Sequence, residues 1–251
     1  MIEPCVVIPV YNHPESIAAV VTQVRQRGLP CFVIDDGSDE PCRSILDAIA
    51  AGDDGVRLLR LEQNRGKGAA VCAGLAAAAA AGFSHALQVD ADAQHNLGDL
   101  ATFIQRASDH PEAVVTGDRI YGEVPASRRY GRMLTDALVW LQTLSLQISD
   151  SMCGYRVYPL AATMALLRDH TVGQRMDFDT DILVRLYWRG VPVEQVATPV
   201  VYRSDIPSHF DLVRDNARIT RMHLRLLLGM LVRLPHLLRA KWQRARQHAP
   251  G

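Results

Sequence analysis

The apolar positions of this chain fall into short runs and helical stripes that take turns. Residues 5–10 form a compact β-branched run, read as a buried strand. Behind Pro14, Ile17, Val20, Val21 and Val24 recur at helical spacing, and Gly28 and Pro30 close that stripe. Residues 31–34 and 56–61 repeat the strand signature. Residues 44–51 and 69–81 repeat the helical one, closed by Gly52 and Gly82. The run 86–89 makes a fourth strand. Strands alternating with helices four times over predict a parallel sheet with right-handed crossovers.

The second half is less regular. Its pattern predicts helices over 97–110, 127–147, 160–168 and 178–189, and strands over 113–117 and 154–158. One or two more strands lie between 191 and 202, around Pro199. Residues 210–247 read as helical with one break at Pro235. No internal repeat and no linker divides 1–211, so one α/β domain is expected, followed by a tail over 212–251.

Composition changes this picture in one place. At 251 residues, 48% hydrophobic and 22% charged, the chain is an ordinary globular protein with zero formal net charge. The charge is uneven, however. Residues 212–251 hold nine Lys/Arg against one acid, a balance of +8, and the remainder carries −8. Leu224, Leu227, Leu228, Leu231, Leu234 and Leu238 alternate there with Arg221, Arg225, Arg233 and Arg239. A basic amphipathic helix of this kind either lies on an anionic membrane surface or packs on the core or a second subunit. Nucleic acid is a poor partner, because no reading motif accompanies the charge. The apolar stretch 223–238 is interrupted by Arg225, Arg233 and Pro235 and falls short of a membrane span. The five cysteines show no paired spacing, and the first strand begins almost at once without a leader, so a reducing cytoplasm is expected.

The candidate chemistry gathers where strands end. The run 86–89 gives out into Asp90 and Asp92, followed by Gln94 and His95. Carboxylates two apart in extended chain point the same way, and the end of a strand is the ligand edge of an open α/β sheet. Two hard oxygen donors there suit Mg²⁺ or Mn²⁺ shared with substrate phosphates, with Gln94 or His95 as third ligand or outer support. Three more loops belong to the same edge. Pro9, Tyr11 and Asn12 follow the first strand, where the ring either flanks a nucleobase or caps the core. Asp35 and Asp36 follow the second and either accept from base or ribose or cap a helix. Gly66, Lys67 and Gly68 precede a helix, an arrangement that favours phosphate although it lacks P-loop spacing.

Four stretches in this order carry a resemblance: Val7-Ile-Pro-Val-Tyr-Asn12, Val33-Ile-Asp-Asp-Gly-Ser38, Asn64-Arg-Gly-Lys-Gly68 and Gln88-Val-Asp-Ala-Asp-Ala-Gln-His95. The chain resembles family 2 glycosyltransferases of the GT-A fold, nearest to the dolichyl-phosphate mannose synthase and polyprenyl-phosphate glycosyltransferase branch. The resemblance implies a Rossmann-like, mostly parallel sheet with helices on both faces, and a basic helix after it. A nucleotide-sugar half would span 1–117 and an acceptor half 118–211. It also implies a nucleoside-diphosphate sugar donor, a divalent metal and inversion at the anomeric carbon. Asp36 would hold the nucleoside, and Asp92 and Gln94 the metal, with Asp90 at the donor or the metal. Members often carry Glu after the Asn of the first loop, whereas this chain has His13 there and Glu15 two further on.

In the second half, Arg119, Arg132 and Arg203 match the arginines of that branch and would converge on the phosphate of a lipid acceptor. Arg156, in the stretch Cys153-Gly-Tyr-Arg-Val-Tyr158, is either structural or faces the acceptor. Phe178-Asp-Thr-Asp-Ile-Leu183 places Asp179 and Asp181 at a helix start, where they either answer the helix dipole or provide a general base for a hydroxyl acceptor. The expected protein is a glycosyltransferase at the cytoplasmic face, peripheral on the inner side of the membrane. It would move a sugar to a lipid phosphate or lipid hydroxyl. The rivals are a nucleotidyltransferase, which would need a Gly-rich first loop that 9–14 lacks, and a non-catalytic nucleotide-sugar or lipid-binding protein.

Overall fold

The computed structural model describes residues 1–120, 126–200 and 211–247, of which 126–130 and 240–247 are described by backbone alone. Seven strands and eight α-helices follow one another within these residues. The first half runs β1 (Pro4–Val10), α1 (Ile17–Arg25), β2 (Cys31–Asp35), α2 (Cys42–Gly52), β3 (Val56–Arg60), α3 (Lys67–Ala80) and β4 (His85–Gln88). A short 3₁₀ turn at Leu97–Asp99 leads into α4 (Leu100–Asp109), then β5 (Val114–Ile120), α5 (Ala126–Thr143), β6 (Arg156–Pro159) and α6 (Leu160–Asp169). The last elements are α7 (Phe178–Trp188), β7 (Val193–Pro199) and α8 (Leu212–Gln247).

The strands form one sheet in the order β3-β2-β1-β4-β6-β5-β7. The parallel reading of the first half holds, since β1 pairs in parallel with both β2 and β4, and β2 with β3. The exception is β6, which runs antiparallel to β4 and to β5. Its reversal has a consequence for the site. Because β6 points the other way, its first residues lie at the edge where β4 ends, with Arg156 in register with Gln88. From β1 the chain order departs in both directions, to β2 and to β4, so the crevice between their carboxyl ends is a topological switch point.

Local sequence accounts for these elements. The predicted apolar face of α1, Ile17, Val20, Val21 and Val24, is the buried one. Edge strand β3 alternates buried and exposed positions, whereas central β1 is buried from Cys5 to Val10. Pro9 sits inside β1 without breaking the sheet. Val7 accepts from Val89 at 3.0 Å on the β4 side, and Pro9 faces the same side two residues on, past the last paired residue Gln88. Gly74 in the alanine-rich α3 lets that helix close on the sheet, because a Cβ there would lie 2.4 Å from the Val7 side chain. Burial pushes the thiols of Cys5, Cys31, Cys72 and Cys153 up to about 12, so these unpaired cysteines act as small apolar residues.

Helix α8 is continuous through Pro235, so the expected break is absent. The proline removes one amide, and its ring crowds the carbonyl of Leu231, which lies on the exposed face where water can take the freed acceptor. Met222, Leu226, Met230 and Leu237 bury one face of α8 in the core shared with α5 and α7. The tail is thus a packed helix whose opposite face leaves Leu224, Leu228, Leu231, Val232 and Leu238 exposed. Replacing fully buried Leu226 by Ala is expected to cost about 2–5 kcal/mol, whereas Leu228→Ala, 66% exposed, stays within about 0.5 kcal/mol. Chemical denaturation of the two variants checks this directly.

Candidate active site

The central feature is a half-buried ammonium between two carboxylates. Lys67 opens α3, and its Nζ lies 2.9 Å from Asp90 Oδ2 and 3.1 Å from Asp179 Oδ2. Asp90 comes from the loop after β4 and Asp179 from the first turn of α7, so one side chain ties three elements. Burial works against the Lys67 charge, but Asp179 and Asp90 outweigh it and raise its pKa. Burial likewise opposes the Asp90 carboxylate, and Lys67 and His95 outweigh it, holding Asp90 well below the ordinary range. Burial, and then the neighbouring Asp90 charge, push Asp92 upward.

A second layer holds this group. His95 Nε2 lies 3.3 Å from Asp90 Oδ2, and its ring stacks on Tyr155 at 5.0 Å between centroids. Gln88 Nε2 donates to Asp179 Oδ1 at 3.2 Å, and Tyr158 donates to Gln88 Oε1 at 3.0 Å. Arg156 is structural rather than acceptor-facing. It is fully buried and donates to the carbonyls of Asp179, Ser151 and Cys153 and to Thr116 Oγ1.

The donor set fits a divalent ion. Asp90 Oδ1 is buried without a hydrogen-bond partner, and Asp92 Oδ1 accepts only the Gln94 amide at 3.0 Å. Among the described residues no group of three or more His, Cys, Asp or Glu forms a ready cage. A pair of carboxylates completed by substrate phosphates is the arrangement hard cations such as Mg²⁺ accept.

Other expected residues take different places. Asp36 accepts from the amides of Arg65 and Gly66, both at 2.8 Å, and is nearly buried. The loop before α3 therefore already holds an anion, the protein's own carboxylate, and the Ala69 amide goes to Gln174 O at 3.0 Å. This corrects the reading of 66–68 as an open phosphate cradle. Its glycines serve packing instead. Cβ atoms at Gly66 and Gly68 would meet Arg175 Cγ at 2.3 Å and Gly173 O at 2.6 Å. Asp35 is buried against Arg60 and the Ser38 amide. Asn12 exchanges two hydrogen bonds with Asp39, joining the loops after β1 and β2, and Tyr11 stands half-buried beside it.

Asp181 is not brought to the site. Two residues apart on a helix means about 200° of rotation, and its carboxylate accepts from Gly173 N, Arg185 Nε and Arg225 Nη2 with no exposure. It braces α7 and α8 and cannot serve as the base. The arginine expectation is also revised. Arg119 makes a bidentate pair with buried Asp150 at 2.7 and 2.9 Å, and Arg132 lies 3.5 Å from Asp118 and Asp136 and 3.8 Å from Asp150. The anion that joins these cations is the chain's own Asp150, so their proximity does not call for a ligand. Arg203 lies outside the described residues.

Sequence reasoning missed three contributors. Gln88 was hidden within an apolar strand run. Arg175, which donates to Asn64 Oδ1 and O at 2.9 and 3.2 Å, had no motif around it. Gly154 was visible only as part of a longer match, although a Cβ there would lie 2.6 Å from Lys67 Nζ and 3.0 Å from Asp90 Oδ2.

Residues 5–172 match the family model described as glycosyl transferase family 2. The chain belongs to that family. An undecaprenyl-phosphate mannosyltransferase of Micrococcus luteus is 26% identical, over 78% of this chain and 83% of its own length. A UDP-N-acetylglucosamine–dolichyl-phosphate N-acetylglucosaminyltransferase of Methanococcus voltae is 23% identical, over 78% and 84%. These relatives support the polyprenyl-phosphate branch of family 2, and the protein is a glycosyltransferase. Its fold is GT-A. The glucosyl-3-phosphoglycerate synthase of Mycobacterium tuberculosis, solved with Mn²⁺, UDP and glucosyl-3-phosphoglycerate, superposes with a TM-score of 0.68 at 17% identity, over 91% of this chain and 80% of that one.

Two measurements check the site. Gly154→Ala should leave a folded protein whose sugar transfer falls about tenfold or more, because the added methyl displaces Lys67 and Asp90. Circular dichroism and turnover separate the two effects. Asp136 is pushed up to about 6, chiefly by burial. Its folded pKa exceeds the unfolded value, so its stabilising contribution is complete below about pH 4 and lost as pH rises through about 6. Asp136→Asn should raise the melting temperature at pH 7.5, by up to about 3 kcal/mol in stability, and gain nothing at pH 4.

Proposed function

We propose that this family 2 enzyme transfers a sugar, with inversion, from a nucleoside-diphosphate sugar to a polyprenyl-type lipid phosphate. The observation that carries the donor half is the Asp90–Asp92 pair at the switch-point edge, with an unpartnered buried oxygen and Lys67 beside it. Asp90, Asp92 and Gln94 would hold Mg²⁺ or Mn²⁺ beside the donor diphosphate. The ion supplies charge stabilisation to the departing diphosphate. Lys67 sits within reach of the same anion, and Tyr11 and Asn12, with Asp36 behind them, border the nucleoside.

The acceptor half is supported by the relatives named above and by chemistry at α7. Asp179, the one acid of that helix at the site, has one oxygen on Lys67 and the other on Gln88. A carboxylate engaged on both sides is suited to positioning rather than to proton abstraction. A phosphate acceptor fits, because it arrives already ionised. Its oxygen forms the bond to the anomeric carbon as the bond from that carbon to the diphosphate oxygen breaks, and the leaving nucleoside diphosphate keeps the electron pair. No helix among the described residues is long and apolar enough to cross a membrane. The exposed leucines of α8 and the surplus of arginine in the tail support a contact with an anionic membrane surface instead.

Asp92→Asn is the test. The variant should keep its melting temperature, lose Mn²⁺-dependent binding of the donor in calorimetry and lose transfer by about a hundredfold or more. Full transfer by the variant, or transfer indifferent to EDTA, removes the metal from the reaction.

A further inference from the structure

The outer side of α7 carries a second constellation that the transfer site does not use. A cavity of about 330 Å³ is lined by Asp177, Arg218, Arg221, Met222 and Arg225. The three arginines lie at positions i, i+3 and i+7 of α8, hence on one flank of the helix. Two are held by buried carboxylates. Arg218 Nη1 lies 2.7 Å from Asp215 Oδ1, and Arg225 Nη2 lies 3.1 Å from Asp181 Oδ2. Asp181 also serves Arg185 at 2.6 Å, so one carboxylate is shared by two cations. Arg221 is exposed and has no hydrogen-bond or ion-pair partner among the described residues. Four guanidinium groups (Arg185, Arg218, Arg221 and Arg225) thus face three carboxylates (Asp177, Asp181 and Asp215), an excess of one positive charge. Asp177, the one acid among the described residues of the lining, accepts the Arg175 amide at 3.1 Å.

We propose that this pocket binds a phosphate group, gripped by Arg221 with Arg218 and Arg225 as pre-positioned neighbours. Guanidinium forks match phosphate oxygens bidentately, and two arginines fixed by buried acids lose little freedom on binding. The neighbouring surface favours a phosphate carried by an amphiphile. Leu224 and Leu228 follow Arg221 at i+3 and i+7 and are 57% and 66% exposed, and Leu231 continues the stripe. A head group in the pocket would leave its chain along those leucines. The inference rests on the flank of α8 and its ion pairs with α7, and it does not depend on the reading of sugar transfer.

The test uses the full chain and two single variants, Arg221→Ala and Arg214→Ala. Arg214 lies on the same helix and is well exposed, but outside the pocket. Calorimetry with inorganic pyrophosphate in EDTA reads soluble phosphate, and sedimentation with phosphatidylcholine vesicles, with and without phosphatidic acid, reads the amphiphile. Arg221→Ala should weaken binding to phosphatidic-acid vesicles about tenfold and Arg214→Ala much less. If only pyrophosphate binding falls in Arg221→Ala, the pocket stands and its ligand is a soluble phosphate. Equal losses in both variants in both assays, or no loss in either, overturn the pocket and leave the arginines as general surface charge. Both variants should still bind nucleoside diphosphate with Mn²⁺ like the parent. Failure of the parent itself in that assay counts against the donor site and not against this one.

Discussion

One half-buried ammonium holds the two halves of this enzyme to a common centre. Lys67 sits at the start of α3, in the first half, and its partners Asp90 and Asp179 come from the loop after β4 and from α7 in the second half. Drawing three charges partly out of water is costly unless each is paired and hydrogen-bonded. Here His95 joins Lys67 on Asp90 Oδ2 and Gln88 takes the second oxygen of Asp179, while Asp90 Oδ1 keeps no hydrogen-bond partner. Removing one member would leave an uncompensated charge in a confined space, so the cluster must be assembled as a whole. Its net charge is negative by one, and Asp92 adds a further negative charge. That excess is what a divalent ion with its diphosphate would meet.

The backbone arrangement follows from this need for convergence. β1 and β4 carry their loops to one edge because they are parallel neighbours, and β6 contributes there only because it is reversed. Had β6 been parallel, Gly154 would have been delivered to the opposite edge. Its missing side chain leaves the space that Lys67, Gln88 and Asp90 now occupy. Arg156 then fixes the same strand to the first turn of α7 through the Asp179 carbonyl at 2.7 Å. The strand order, the glycine and the buried arginine are one solution to placing two acids around one lysine.

The alternation of elements was legible in the chain, and so were the strand-end acids, because both depend on local periodicity and on where a buried run stops. Helix α1 and strands β1 to β4 follow from spacing alone. The direction of β6 was not legible, since a short apolar run has the same pattern in either orientation. The same limit explains the misplaced acid of α7. Asp181 has the residue type and position expected of a reacting group, and nothing in its neighbourhood announces that an amide and two arginines will saturate it. Arg119 and Arg132 are a similar case. Their proximity implied an anion, and the anion proved to be Asp150, whose sequence context carries no mark of it.

Helix α8 packs on the core with one face and leaves a second leucine stripe outside. A stripe of leucines broader than one contact face satisfies the core with Met222, Leu226 and Met230 and still leaves Leu224, Leu228 and Leu231 outside. A monomer with only the first role would gain solubility by replacing the outer leucines with polar residues. Arg225, beside those leucines, ties α8 to α7 through Asp181, two residues from Asp179. Arg225 on α8 and Lys67 on α3 thus hold two acids of the same first turn of α7, Asp181 and Asp179, from opposite faces of that helix.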